Sequence, residues 1–380
     1  MTGKGRSPLK ILHIDPERNW GGGEAQVLGL LSYLAERGHS THLLAHPDGR
    51  LFQQSQARRI RTMPLIARND FDLRPVSRLR RLIRAENYDI VHLHTKRAHA
   101  LSLWLSRGWV TPKYVVTRRM DYPEANSWYT RYLYNRKVDG VVAISRKIST
   151  LLIEAGVERG RIRLIHSGID PRPFEAAVHL RDVHPAGVKV GMAAVLEERK
   201  GHRFLLEAAR RLKVQGYQIQ YCIAGEGSLK KSLEEIVTRS GLKDEVQFLG
   251  FVTDMPAFLS QVDIVTLPSL FEGLGVSVLE AMAAGKAVIA SRVGGLVELV
   301  RDTVTGLLVA PRDVEGLAKA IAKLADDRTL RREMGEKGKE RLQANFTVEQ
   351  MAKQNEDYYY RLLEQSRRMS HGAGSHLTSE

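Results

Sequence analysis

Short apolar runs recur along the first half of the chain and alternate with segments of helical period. Lys10–Ile14 (KILHI), Thr41–Ala45, Ile90–His94, Tyr114–Thr117, Gly140–Ile144 and Ile162–Ile165 read as strands, with a helix over about Glu24 to Arg37 and further helical stretches between them. Strands that alternate with helices predict a doubly wound, mostly parallel sheet. Pro171 to Gly187 carries three prolines and little periodicity, so it reads as a linker. The alternation then restarts. Val188–Ala193, Ile219–Ala224, Val246–Leu249, Ile264–Leu267 and Ala287–Ala290 are predicted strands, Arg203–Gln215 and Leu229–Arg239 predicted helices, with late helices near 315–325 and 348–363. The expected architecture is therefore α/β, with two doubly wound Rossmann-like domains at 1–170 and 188–363, the last helix being free to pack back on the first domain. A polar, disordered tail is expected from Glu364. Two such domains are expected to face across a cleft. Ligands of open parallel sheets bind beyond the carboxyl ends of the strands, which directs the search to those loops.

Composition adds three constraints. The 380 residues are 43% hydrophobic, enough for two domain cores. The single cysteine, Cys222, sits in an apolar run and cannot form an internal disulfide, which suits a reducing compartment. No apolar stretch approaches the roughly 18 residues of a membrane span, and MTGKGRSPLK lacks a signal-peptide core, so a cytoplasmic chain is expected. Charge is uneven: residues 1–170 hold 29 Lys and Arg against 15 Asp and Glu, the remainder 29 against 28. In Pro75–Glu86, Val76, Leu79, Leu82 and Ile83 share one helical face, and Arg74, Arg80, Arg81 and Arg84 the other. That basic face fits the inner surface of an anionic membrane or ordinary solvation, and both readings stand. Basic arms also bind nucleic acid, but no recognition module with interleaved aromatics accompanies this one, so no nucleic-acid partner is expected. Tyr122–Lys137 mixes aromatics with arginines, as an interfacial or acceptor-binding helix would. Packing of Trp128, Tyr132 and Leu133 on the sheet explains it equally.

The stretch FEGLGVSVLE (271–280) follows the strand IVTL and a Pro268-Ser269 turn. A helix opening near Gly275 or Val276 has unpaired amides and a partial positive charge at its start. Gly273 and Gly275 would let a phosphate approach that backbone. Glu280, one turn in, would accept hydrogen bonds from a sugar diol as an ionised carboxylate, and Glu272 would face the cleft. The pattern suits a nucleotide diphosphate sugar; an ordinary acidic helix start fits the spacing too. The loop Trp20–Glu24 (WGGGE) also permits close backbone approach, with Gly22 and Gly23 as the candidate contacts. His94 ends a strand and could reach the cleft, whereas His92 is expected on the strand's opposite side as a structural histidine.

Residues 271–300, FEGLGVSVLEAMAAGKAVIASRVGGLVELV, resemble the family-4 glycosyltransferases of the GT-B fold: two acids separated by seven residues, a small-residue helix and a GG-x-x-E turn ending at Glu298. The likeness extends to VAIS (142–145), IHSGID (165–170), ERKGHRFLLEAA around Lys200-Gly201, AGEG (224–227), LGFV (249–252) and TGLLV (305–309). It implies that Glu280 holds the nucleotide ribose, that Glu272 lies by the donor sugar, and that amides around Gly275 and Val276 contact the diphosphate. Gly225, Gly227, Phe251 and Val252 would complete the donor site, and Gly22 and Gly23 would lie over the donor. The diphosphate-clamping lysine matches Lys200, but its arginine partner falls at Ala194 or Val195. The family's histidine is replaced at Arg118 or Arg119. A guanidinium stays charged and cannot relay a proton, but it can stabilise developing charge, leaving Arg119, His94 and Asp121 as candidates. The resemblance implies retention of configuration, no cofactor and no metal. It implies transfer from a nucleotide-sugar donor to a saccharide or lipid-linked acceptor, in cell-envelope polysaccharide or lipopolysaccharide synthesis. A sugar-nucleotide epimerase or phosphorylase on the same scaffold, and a non-enzymatic basic binding protein, are the alternatives. The first would need no acceptor, and the last would tolerate loss of Glu280.

Overall fold

The computed structural model describes residues 6–69, 72–105, 112–175 and 187–374. The chain divides into two units, residues 1–167 with 348–380, and residues 168–347. Most of the expected linker, 176–186, lies outside the described residues, as do 375–380.

The first unit is built on seven strands: β1 (Lys10–Asp15), β2 (Ser40–Ala45), β3 (Arg61–Pro64), β4 (Ile90–Leu93), β5 (Lys113–Arg118), β6 (Gly140–Ala143) and β7 (Ile162–Leu164). They lie in the order β3-β2-β1-β4-β5-β6-β7 and every pairing is parallel. The central strands are buried on both faces, which is why they read as continuous apolar runs rather than alternating ones. The strand order reverses between β1 and β4, and Ile14 is level with Leu93 across that seam. The residues just after β1 and β4 therefore sit at the switch point where such sheets bind ligands. The final helix, Val348–Gly374, belongs to this unit and runs through much of the stretch expected to be disordered. It docks through three successive tyrosines. Tyr358 donates to the Arg161 carbonyl (2.8 Å), Tyr360 to the Ser7 carbonyl (2.8 Å), and Tyr359, wholly buried, meets His92 Nδ1 (2.6 Å). Buried apolar side chains on this helix, among them Met351, Ala352 and Leu362, join the core of Ile11, Leu30, Ile90 and Val115 and give the docking its driving force.

The second unit repeats the plan with β8 (Val188–Ala193), β9 (Ile219–Ala224), β10 (Val246–Gly250), β11 (Ile264–Leu267), β12 (Ala287–Ser291) and β13 (Leu307–Val309). Their order is β10-β9-β8-β11-β12-β13, again parallel, with the reversal between β8 and β11. The helix Arg328–Asn345 went unread in the sequence because its pattern is largely polar and holds two glycines. In the fold those glycines permit close packing. A Cβ on Gly335 would stand 1.9 Å from the Gly285 carbonyl oxygen, so only glycine lets the helix approach. Two short strands, β3 and β13, also escaped notice. Among the described residues no helix is long and apolar enough to cross a membrane.

The basic helix spans Val76–Glu86 and buries Val76, Leu79 and Ile83, while Arg80, Arg81 and Arg84 are exposed. Arg74 stands outside the helix and pairs with Asp72 at 2.6 Å. In the aromatic segment the helix is Trp128–Arg136. Leu133 is buried there, but Trp128 is 78% exposed and Tyr132 41%, so these two do not pack on the sheet.

Candidate functional site

In the second unit four loops leave the carboxyl ends of neighbouring strands and are tied together through their backbones. After β8, Ala194 N–H donates to the Ala224 carbonyl (2.9 Å) and Leu196 N–H to the Glu226 carbonyl (2.9 Å). Gly225, with φ at +142°, has the Ala194 carbonyl where a side chain would begin, 1.9 Å from an added Cβ, and Gly227 is similarly pressed on Leu196. Gly225 N–H donates to the Gly250 carbonyl at 2.7 Å, joining the loop after β10 that carries half-exposed Phe251 and Val252. The loop after β11 is fixed by Leu270 N–H to the Arg199 carbonyl (2.7 Å) and by the Glu272 carbonyl, which accepts from Gly295 N–H (3.0 Å). Gly273 lies against Gly295, one of the turn's two glycines.

Within this frame Lys200 Nζ and Glu272 form a short ion pair, both side chains largely buried, and Ser269 Oγ adds a 3.3 Å bond to the same carboxylate. Arg199 pairs with Glu197 (2.8 Å) and Arg203 with Glu198 (3.2 Å). Gly275, at φ +99°, turns the chain into the helix Val276–Ala283, whose N-terminus no side chain caps. Glu280 lies one turn along. Burial alone pushes its carboxyl up to about 7. No charge or donor offsets that desolvation.

The first unit gathers a second set of groups at its own switch point. His94 follows β4 and is 2% exposed; it lies beside His92, ring centroids 4.1 Å apart. The expectation that His92 points the other way was wrong, because residues two apart on a strand share a face. His13 of β1 completes the trio, its Nδ1 2.9 Å from His94 Nε2, while His92 is held by Tyr359 and by Thr117 Oγ1 (2.7 Å). Burial holds His13 down to about 3 and the other two well below their ordinary range, so all three are neutral. The trio's ring nitrogens lie within 4.8 Å of one another. His92 spends both ring nitrogens on hydrogen bonds, so a metal held by all three would have to displace one of those, beside the positive charge of Arg119.

Arg119 follows β5, and its side chain lies against Gly23, whose added Cβ would stand 3.4 Å from Arg119 Cδ. Gly22 and Gly23 fall inside the first turn of the helix Gly22–Glu36 rather than before it, and Glu24 Oε2 accepts from Gly21 N–H at 2.8 Å. Asp15, at the end of β1, is 1% exposed. Burial and the Glu24 charge raise its carboxyl to about 7 against the opposing pull of the Glu17 amide and Arg119. Glu24 is raised mainly by burial, with Arg119 among the opposing influences. Arg119 Nε is buried without a hydrogen-bond partner. A cavity of about 10 Å³, the size of one water, adjoins Arg119, His94, Ser167 and Asn355. His94 Nδ1, Ser167 Oγ and Asn355 Oδ1 are also without partners. Sequence reading missed Asp15 and His13; their position at the end of the first strand was the available signal. Arg118 is turned to Glu124 (2.8 Å) and to the Tyr122 ring.

The family described as Glycosyltransferase Family 4 matches residues 20–172, and the one described as Glycosyl transferases group 1 matches residues 186–341. The lipopolysaccharide core biosynthesis glycosyltransferase LpsE of Rhizobium meliloti (strain 1021) is 29% identical over 363 residues, 93% of this chain and 99% of that protein. A glycosyltransferase from Rickettsia africae ESF-5 superposes with a TM-score of 0.82 at 22% identity, covering 94% of this chain and 99% of its own. Anabaena Alr3699/HepE in complex with UDP and glucose gives 0.79 at 23% identity, covering 92% and 99%. These two likenesses concern the fold.

Proposed function

We propose, for a chain that belongs to the group 1 glycosyltransferases of family 4 and is a glycosyltransferase of the GT-B type, that the sugar comes from a nucleoside diphosphate donor and passes to an acceptor hydroxyl with retention. The observation that carries this reading is the uncapped helix start at Gly275–Val276 with Glu280 one turn inside. Its first-turn amides suit a diphosphate, and the Glu280 carboxylate suits the two hydroxyls of a ribose. Ionisation on contact with those donors would return its pKa toward the ordinary range. Lys200 would leave Glu272 in part to meet the diphosphate, freeing the carboxylate for the donor sugar. Phe251 and Val252 would meet the base, with Gly225 and Gly227 providing close approach. In the transfer the anomeric C1–O bond to phosphate breaks and its electron pair leaves with the diphosphate. The acceptor oxygen bonds C1, and its proton ends on the leaving group or on solvent. Amides and Lys200 stabilise the charge that develops.

UDP is the first candidate nucleotide, since Alr3699/HepE binds it. The named relatives suggest an acceptor in cell-envelope saccharide synthesis. We further expect activity without a metal, checked by retention in EDTA. Peripheral contact with an anionic membrane would use the exposed arginines of Val76–Glu86, and flotation with anionic vesicles at low salt tests it. The central test is calorimetric titration of the nucleoside diphosphates. Binding of one of them, weakened about tenfold or more in Glu280→Ala, is the expected result. Equal binding by that variant, or no nucleotide bound at all, would remove the reading.

A further inference from the structure

Four buried polar atoms in the first unit lack a hydrogen-bond partner within the chain, and the residues that carry them line one small cavity. They are His94 Nδ1, Arg119 Nε, Ser167 Oγ and Asn355 Oδ1, around a space of about 10 Å³. The residues arrive from separate elements: His94 just after β4, Arg119 just after β5, Ser167 three residues after β7, and Asn355 from within the final helix. Apolar side chains, Leu30, Val142 and Met351 among them, close other walls. Buried polar groups in folded proteins nearly always find a partner, in the chain or in ordered water. The space is just large enough for one water, which needs two to four polar neighbours to be retained.

We propose that His94, Arg119, Ser167 and Asn355 together hold one buried water, and that this water fixes the tautomer of His94 and the orientation of Arg119. Donor and acceptor roles follow from the chemistry of each group. The Arg119 Nε–H can only donate. Asn355 spends its Nδ2 on the Met351 carbonyl (2.9 Å), which leaves its Oδ1 as an acceptor. A water offers two protons and two lone pairs, so one of His94 and Ser167 must accept and the other donate. The charge of Arg119, which acts on His94, decides between them. An imidazole beside a cation turns its bare nitrogen rather than its N–H to that side. His94 Nδ1 therefore accepts from the water, and the Ser167 hydroxyl donates to it. The His94 proton then resides on Nε2 and is donated to His13 Nδ1 across 2.9 Å. Both ring nitrogens of His94 are thereby engaged, which makes it a positioning residue for Arg119 rather than a free base. Ser167 and Asn355 act at one remove, through the water. The inference concerns the first unit alone and does not depend on which nucleotide the second unit takes.

Nitrogen-15 correlation spectra of the full chain, labelled at histidine and assigned by the signals lost in His94→Gln, read the tautomer. The expected result is a bare Nδ1 and a protonated Nε2 on His94. A crystal structure that resolves ordered water should show one molecule within hydrogen-bonding reach of all four atoms. Ser167→Ala removes one donor; it should raise the unfolding equilibrium constant about tenfold, the worth of one hydrogen bond, and shift the His94 nitrogen resonances. Asn355→Leu removes the acceptor at similar volume and should shift the same resonances. Should that variant fail to fold, Ser167→Ala carries the comparison by itself. A dry cavity, a proton on His94 Nδ1, or His94 resonances unmoved in every folded variant would each overturn the inference.

Discussion

The two units answer one problem, how to keep charge inside a parallel α/β fold, in opposite ways. The second unit pairs Lys200 directly with the buried Glu272, and its other acid, Glu280, has a carboxyl raised by desolvation. The first unit packs three neutral histidines, two acids and an arginine around the ends of β1, β4 and β5, with the arginine unpaired. Local pairing stabilises a loop; unpaired burial leaves the proton inventory of the whole unit sensitive to its surroundings.

The sharpest way to break that contrast is acid. Burial holds His13 and His99 down to about 3, so between pH 6.5 and that value the unfolded chain binds protons that the folded one refuses. Stability is therefore lost as pH falls below 6.5. Those two histidines alone would give up roughly 5 kcal/mol by pH 4.5, and His92 and His94 act in the same direction. Asp15, raised to about 7, works the other way and returns about half as much. In the second unit the Glu280 carboxyl, likewise raised, gains from acid what His202, lowered to about 4, loses. Hydrogen exchange at pH 4.5 against pH 7 should show peptides from residues 10–165 losing protection while those from 188–345 keep theirs. Equal loss in both would erase the distinction.

Next in size is the ion pair. Lys200→Met leaves Glu272 buried without its partner, a change that typically costs about 3–5 kcal/mol. Adding Glu272→Leu should recover much of that loss, and urea unfolding of the two variants measures the difference. A double variant no more stable than the single one would mean that the loop, not the pair, sets the cost. Glu280→Gln is smaller and of opposite sign. A carboxyl raised from 4.5 to about 7 holds its proton more tightly in the folded chain, so stability falls as pH rises through that window. The amide should be more stable than the acid by up to about 3 kcal/mol at pH 8 and indistinguishable at pH 4, read from thermal melts at both.

The same contrast explains what the sequence disclosed. The candidate groups of the second unit lie within FEGLGVSVLE or within three other short loops, each after an apolar strand, so strand reading pointed to the loops and the family resemblance picked out residues such as Lys200, Gly225 and Phe251 within them. The Asp15, Glu24, His94 and Arg119 cluster is assembled from three strand ends and a helix start, and no spacing along the chain brings those residues together. His92 was misassigned by a simple slip in the period of a strand, and His13 was passed over inside KILHI because a histidine in an apolar run signals nothing by itself. The helix Arg328–Asn345 was hidden because glycine reads locally as a breaker. Here the tertiary contact of Gly335 with the Gly285 backbone is what makes it necessary.

The smallest effect tests whether the final helix shapes the histidine cluster or merely covers it. Tyr359 of that helix is hydrogen-bonded to the trio, 2.6 Å from His92 Nδ1, and His92 uses its other nitrogen on Thr117. Removing the hydroxyl with Tyr359→Phe keeps the ring's packing but leaves one imidazole nitrogen buried without a partner, a loss of about 1–3 kcal/mol. A helix held only by apolar burial would barely register the change, since the ring's contact area is retained. If the hydroxyl fixes the His92 tautomer, the imidazole resonances of His92 and its hydrogen-bonded neighbours in nitrogen-15 spectra should shift as the melting temperature drops. A drop with unmoved resonances would assign Tyr359 to packing alone, and the first unit's cluster would then be as self-contained as the pair in the second.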